Sequence, residues 1–293
     1  VEEMAKGCAV CGRIAVEANM GAIGATMAYG TDSQRRMAAD AVLAGDKPAI
    51  CITEPEAGSD AGNTRTRAAL DGDEWVIDGA KQFITNSGTD ITSLVTVTAV
   101  TDTKPDGRKQ ISTIIVPAGT PGFTAQEIKH KMSLRASVTS SLFFDNVRVP
   151  QRYRIGHEGA GFMMQMLQFQ EERLFGAANM IKGLEHCVDT TIDYCKQRHT
   201  FGQPLIDNQV IHFRMAELQT EIECLRALVY QATEQYVKGR DVTKGYEKAI
   251  AKPIPLVPTP DLARVRRRLL YEFPHASGAV DFVLHDLVGK PFV

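Results

Sequence analysis

The chain has 293 residues, 44% of them hydrophobic, enough for a large core and for two or more domains. Its 33 basic and 35 acidic residues leave a net charge of -2, so no basic field marks it for nucleic acid. No apolar run approaches the roughly 20 residues of a membrane-spanning helix, no basic-then-apolar leader opens the sequence, and the expected location is cytoplasmic, or the mitochondrial matrix in a eukaryote.

Residues 1–47 read as helical. "VEEMAKGCAVCGRIAVEANMGAIGATMAYG" is rich in Ala and Met and shows no strand alternation. Val1 already lies inside this pattern, so the chain is expected to start part-way into a helical domain. Cys8 and Cys11 form a lone CxxC. A zinc or redox site would need a second pair or a βαβ context, and two core thiols on a helix are the expectation. Cys51, Cys187, Cys195 and Cys224 are scattered through apolar segments and suit reduced thiols, not a disulfide framework. In "TDSQRRMAADAVLAGD", Thr31 or Asp32 can cap a helix and Gly45 can end it.

The pattern changes at Pro48. Over residues 48–152 short β-branched runs alternate with turn residues, which predicts an antiparallel β-barrel or sandwich. "ICITEPEAGSD" ends a strand at Thr53 in a proline turn, with Gly58 and Ser59 beyond. Hydroxyls and free backbone N–H groups at a strand end suit a flat polar ring or a pyrophosphate, although an ordinary strand exit has the same form. "AALDGDEWVIDGAKQFITNSG" holds two turn signals, Asp71-Gly72 and Asp78-Gly79. Phe83 offers a stacking face, and period two puts the Thr85 hydroxyl on the same side. "TSLVTVTAV" and "ISTIIVP" read as strands joined by the polar turn "TDTKPDGRKQ". "SSLFFDNVRVP" is a further strand ending at Pro150.

From residue 153 the chain returns to helix through "GHEGAGF". Gly156, Gly159 and Gly161 lack GxGxxG spacing and a surrounding strand-helix unit, so a flexible helix start is expected and not a phosphate loop. Helices near residues 160–198 and 205–238, with a shorter one over 241–252, make a helical bundle over 153–252. Ile211, Met215, Leu218, Ile222, Leu225 and Val229 form its core stripe. Residues 253–293 are an atypical tail, where Pro253, Pro255, Pro258 and Pro260 each cost a helix interior about 3 kcal/mol. "MLQFQEERLFGAAN" poses the sharpest question. Glu171, Glu172 and Arg173 inside an apolar run are either a solvated face or a general base held beside a substrate.

These motifs, with "SLRASVTSSLFFDNVRVP" and "RHTFGQPLIDNQVIHFRMAEL", resemble the acyl-CoA dehydrogenase family, in order, over residues 1 to about 250. The resemblance implies truncated N-terminal helices, a middle β-domain and a C-terminal helical bundle, with FAD bound between the last two. It implies oxidation of an acyl-CoA to the trans-2-enoyl-CoA and transfer of electrons to an electron-transferring flavoprotein. By matching position, Ile50, Ile52 and Thr53 would line the flavin ring. Gly58 and Ser59 would lie near the pyrophosphate and the CoA entrance. Phe83 would stack on the flavin, with the Thr85 hydroxyl beside it. Arg198, Thr200, Phe201 and Gln209 would reach FAD across a subunit interface, which implies a homodimer or homotetramer. Phe169, Gln170 and Arg173 match the CoA-binding helix.

The long-chain and isovaleryl branches carry the catalytic glutamate on that helix in an E-R pair, which Glu172-Arg173 matches. Glu172 would take the α-proton while hydride leaves the β-carbon for flavin N5, in an apolar pocket that raises the carboxylate's pKa. Gly176, one turn on, would leave room for an acyl chain. Glu171, about 100° round the helix, is expected to be solvated. Beyond Gly245 the sequence departs from the family's last two helices. Two other readings keep the same fold: a non-catalytic scaffold member and an acyl-CoA oxidase.

Overall fold

The computed structural model describes residues 1–8, 11–12, 22–132, 135 and 137–240, so the expected helix over 241–252 and the tail lie outside the described residues. The helices are α1 (Glu2–Gly7), α2 (Gly24–Tyr29), α3 (Asp32–Leu43), α4 (Gly161–Gln197) and α5 (Gln209–Val237). The main strands are β1 (Ala49–Cys51), β2 (Arg67–Asp71), β3 (Glu74–Thr85), β4 (Leu94–Thr103), β5 (Lys109–Pro117), β6 (Phe123–Glu127) and β7 (Thr139–Pro150). Short strands β8 (Arg154–Ile155), β9 (His199–Thr200) and β10 (Gln203–Pro204) follow. Two compact units result: Ile14–Phe169, and Val1–Arg13 together with Gln170–Val293.

In the first unit, α3 starts at the expected cap. Thr31 Oγ1 accepts from the Gln34 N–H at 3.3 Å, and the Gln34 side chain accepts from the Thr31 N–H at 2.8 Å. Gly45, at φ 95, follows the helix end. Gln34 also donates to the Arg152 and Arg154 carbonyls at 2.7 and 2.9 Å, tying α3 to the exit of the sheet.

The strands run in the order β6-β7-β3-β2-β4-β5-β8, with β1 added on β4. The sheet is mixed, not purely antiparallel as expected. β1 lies parallel to β4, and Arg67 of β2 meets Val100 of β4 in parallel. Parallel neighbours need a long crossover, and the loop and hairpin between β1 and β4 supply one. β4 is buried at six consecutive positions, the pattern of a strand covered on both faces. Its side chains join Trp75, Ile77, Ile114, Leu142 and Val147 in the main core.

The two Asp-Gly pairs behave differently. Asp71 and Glu74 close a two-residue hairpin, with Gly72 at φ 61 in the first central position. Asp78-Gly79 is not a turn. It lies within β3 at a bulge against β7, where Asp78 accepts the Asn146 N–H at 2.8 Å. A Cβ on Gly79 would stand 2.6 Å from Thr66 Oγ1, so close backbone approach demands the glycine. The glycine-rich helix start likewise packs closely on β5. The Gly159 N–H donates to Ser112 Oγ at 2.9 Å, and a Cβ on Gly161 would lie 2.7 Å from the Ser112 carbonyl carbon.

In the second unit, α4 and α5 pack through Ile181, Val188, Ile192, Ala216, Ile222 and Val229, and Met215, Leu218 and Leu225 flank them as the stripe predicts. α5 begins at Gln209 and not at residue 205, because Leu205–Asp207 form a 3₁₀ turn and Asn208 is an extended N-cap. Arg226, 7% exposed, sits among Glu2, Glu185 and Glu223, and Lys182 reaches Glu185 at 2.9 Å. A buried guanidinium needs such partners. Cys8 and Cys11 are exposed and not core thiols: α1 stops at Gly7 and Cys8 is its extended C-cap. Among the described residues no group of side chains could hold a metal ion, and no helix is long and apolar enough to cross a membrane.

Candidate functional site

The exit of β1 and the end of β3 lie side by side. The Gln82 N–H donates to the Thr53 carbonyl at 2.8 Å, and Lys81 Nζ donates to the Ile52 carbonyl at 3.0 Å. Ile52 is buried, and Ile50 and Thr53 are half-buried. Beyond Thr53, Glu54 and Ala57 exchange backbone hydrogen bonds of 2.9 and 3.2 Å around Pro55 and Glu56. Gly58 and Ser59 are exposed and take no part in those bonds, and a Cβ on Gly58 would meet nothing within 4 Å. The expected open loop end is there.

Period two does not carry through the end of β3. A bulge separates Lys81 from Ile84, and both of these side chains are buried. Phe83 sits in the bulge at φ 63 with 60% of its surface exposed. A bulky residue held in the left-handed region and left in solvent is a strained arrangement of the kind found at functional sites. Thr85, paired with Thr139 of β7, is half-buried on the side away from Ile84. The Thr53 and Thr85 hydroxyls have no hydrogen-bond partner among the described residues.

Behind these residues lies a buried ion pair, Lys81 to Glu54 at 2.8 Å, with Lys81 0% exposed. Burial pulls the Lys81 pKa below its ordinary value, and Glu54 only partly offsets it. Burial pushes Glu54 up, but the Lys81 charge and hydrogen bonds from Lys81, Thr66 and Arg65 bring it below the ordinary range. The Cys51 thiol is pushed up to about 12 by burial, against the pull of Lys81. It is an inert core thiol. Neither motif by itself points to the pair. The signal was a lysine in phase with Trp75 and Ile77 on the buried face of β3.

In the helical unit, Arg198, Thr200 and Phe201 fall within one tight turn. The Arg198 carbonyl accepts the Leu205 N–H at 2.7 Å, and Thr200 pairs with Gln203. Phe201 at φ 53 and Gly202 at φ 84 occupy the two central positions, both positive as a type I′ turn requires. The Phe201 ring is fully exposed. Gln209 is exposed at the first position of α5.

On α4, Phe169, Gln170 and Glu172 are half-buried and Arg173 is exposed. Glu172 and Arg173 are both engaged with neighbouring groups. Glu171 is not solvated: it is half-buried and accepts a hydrogen bond from the Tyr236 hydroxyl of α5. A Cβ on Gly176 would meet nothing within 4 Å, so the helix leaves open space one turn beyond Glu172.

A flavin dinucleotide needs a stacking face, polar groups at its ring edge and N–H groups at its pyrophosphate. Phe83, the unpartnered hydroxyls of Thr53 and Thr85, and the Gly58-Ser59 backbone fit those needs. The family described as acyl-CoA dehydrogenase, middle domain, matches residues 49–147, and that described as acyl-CoA dehydrogenase, C-terminal domain, matches residues 159–254. A 3-sulfinopropanoyl-CoA desulfinase of Paraburkholderia xenovorans is 40% identical over 236 residues, covering 79% of this chain and 60% of that protein. The mitochondrial short-chain specific acyl-CoA dehydrogenase of Bos taurus is 34% identical over 253 residues, covering 86% of this chain and 60% of that protein. The chain thus spans about 60% of the length of these curated relatives. The solved butyryl-CoA dehydrogenase of Megasphaera elsdenii superposes with a TM-score of 0.74 at 32% identity, covering 94% of this chain and 70% of that one. Members of this group are FAD-dependent, and the sheet, the strained Phe83 loop and these similarities together place the chain in the acyl-CoA dehydrogenase family.

Proposed function

We propose that the chain is an FAD-dependent acyl-CoA dehydrogenase with Glu172 as its general base. Ile50, Ile52, Thr53, Gly58, Ser59, Phe83 and Thr85 would hold FAD in one subunit. Arg198, Thr200, Phe201 and Gln209 of a neighbouring subunit would complete the site in a homodimer or homotetramer. Ser59, Phe169, Gln170 and Arg173 would hold the acyl-CoA. The observation that carries this reading is a pair of half-buried threonines, whose hydroxyls have no partner among the described residues, near the bulge that holds an exposed phenyl ring at φ 63. When bound, FAD supplies the hydride acceptor, and an electron-transferring flavoprotein takes the electrons onward.

The protein's own part is proton removal and positioning. The α-proton of a thioester is weakly acidic, so a fixed carboxylate must take it as the β-hydride departs. Glu172, half-buried on a helix, is more fixed and less hydrated than a surface glutamate. Arg173 supplies a cation for the CoA phosphates. The space at Gly176 lets the acyl chain pass the helix.

Anaerobic addition of acyl-CoAs to the FAD-loaded protein tests this by bleaching of the flavin band. Glu172→Gln is nearly isosteric and should slow bleaching by roughly 10²–10⁴-fold while acyl-CoA binding changes little. Glu171→Gln should bleach at the parental rate, since the amide oxygen still accepts from Tyr236. A Glu172→Gln protein that bleaches normally removes the base assignment.

One finding favours a second reading, on which the substrate is 3-sulfinopropanoyl-CoA and the sulfino group is lost: the relative at 40% identity carries that name. Sulfite release from 3-sulfinopropanoyl-CoA without any electron acceptor would select it.

A further inference from the structure

Two segments proposed to hold the flavin are joined from behind by the Lys81–Glu54 pair, which itself points into the sheet. Lys81 Nζ donates to the Ile52 carbonyl at 3.0 Å, Glu54 Oε1 at 2.8 Å and Thr98 Oγ1 at 3.1 Å. All three ammonium protons have a partner. Glu54 accepts the Arg65 N–H at 2.6 Å and the Thr66 N–H at 3.1 Å as well as Lys81. Thr98 in turn donates to the Cys51 carbonyl at 3.1 Å. One buried network therefore fastens the exit of β1, the segment before β2, and strands β3 and β4.

Its placement is the informative part. Thr53 lies between the two residues of β1's exit that the network grips, Ile52 and Glu54. Phe83 lies two residues beyond Lys81, in the bulge that starts there. A buried ion pair is a poor source of net stability, because desolvation offsets most of the attraction, and an apolar pair of the same volume does as well or better. Such a pair does fix geometry: every donor and acceptor has one place to go.

We infer that Lys81 and Glu54 are positioning residues for the flavin site, setting Thr53 against the Phe83 bulge without touching the cofactor. The inference rests on the FAD reading above. It explains why the bulge can hold a phenylalanine at φ 63, since the strand is pinned immediately before it.

The test is Lys81→Met with Glu54→Gln, which removes both charges and keeps the volumes. Val147→Ala, a cavity in the same core away from both segments, is the control for plain destabilisation. FAD affinity is titrated by flavin fluorescence, and melting temperature is recorded for each apoprotein. The double variant should bind FAD at least tenfold more weakly than the control at a comparable melting temperature, with a shifted flavin absorption band. Thr98→Val, a smaller change that keeps the charges, should weaken FAD severalfold and keeps the inference testable if the double variant does not fold. Parental affinity in the variant that folds, or a loss matched by Val147→Ala, overturns the positioning role and leaves the flavin assignment standing. A parent protein that binds no FAD overturns both.

Discussion

A hydroxyl with no partner among the described residues is available to a ligand. Thr53 and Thr85, both half-buried residues, carry two such groups, one where β1 exits beside Gln82 and the other two positions beyond Phe83. Thr53→Val and Thr85→Val keep the shape and remove the hydroxyl. Each should weaken FAD binding by about 1 kcal/mol, roughly fivefold, in a fluorescence titration. Phe83→Gly would relieve the positive φ and should raise the apoprotein's melting temperature while lowering flavin affinity. A rise in both would mean that the strain has no connection with the cofactor. These residues were legible in the sequence because hydroxyl, proline and aromatic stood at strand ends. The strain was not legible, since it depends on a bulge set by the pairing of β3 with β7.

At the scale of elements, the Arg226 network holds the helical unit. Burial pushes Glu185 up, but Lys182 and Arg226 outweigh it and hold the carboxyl below its ordinary 4.5. A depressed folded pKa means stability fully present above that ordinary value and lost as the pH falls through the lower folded one. Thermal unfolding followed across pH should therefore show a flat midpoint at neutrality and a decline below about 4.5. Arg226→Met leaves three carboxylates without their guanidinium and should destabilise by about 3–5 kcal/mol. Its decline at acid pH should be shallower than the parent's, because the guanidinium that favours the charged carboxylates is gone while Lys182 still faces Glu185 and Glu2. The helices themselves could be read from the apolar stripe of α5 and from the Thr31 cap. Their ionic fastening could not, because Glu2 and Arg226 are 224 positions apart. The sheet's mixed pairing escaped for a similar reason. Alternation reports which residues are buried, and it does not say which way a neighbouring strand runs.

At the scale of the whole molecule, the proposal needs a second subunit. Phe201 is a fully exposed aromatic at positive φ on a hairpin tip, next to Arg198. If it serves a neighbour's cofactor, Arg198→Ala and Phe201→Ala should reduce FAD affinity severalfold in the assembled protein. Mixing the Phe201→Ala protein with Thr53→Val protein should then restore part of the binding, since hybrid dimers contain an intact site. Sedimentation shows whether the assembly exists, and a monomer with full flavin content would contradict it. The expectation of this arrangement comes from the resemblance of the motifs to the family's. No periodicity in the chain would have done so, because contacts between subunits leave no local pattern.

The thiol of Cys51 gives the sheet a built-in clock. It is completely enclosed on β1, with its pKa pushed to about 12, so a thiol reagent reaches it only when that strand leaves β4. Cys8, Cys11 and Cys187 are exposed and should be modified without any opening of the fold. Peptide mapping of the slow phase would then time the opening of the β1 edge one residue from Ile52, and added FAD should slow that phase in proportion to its occupancy.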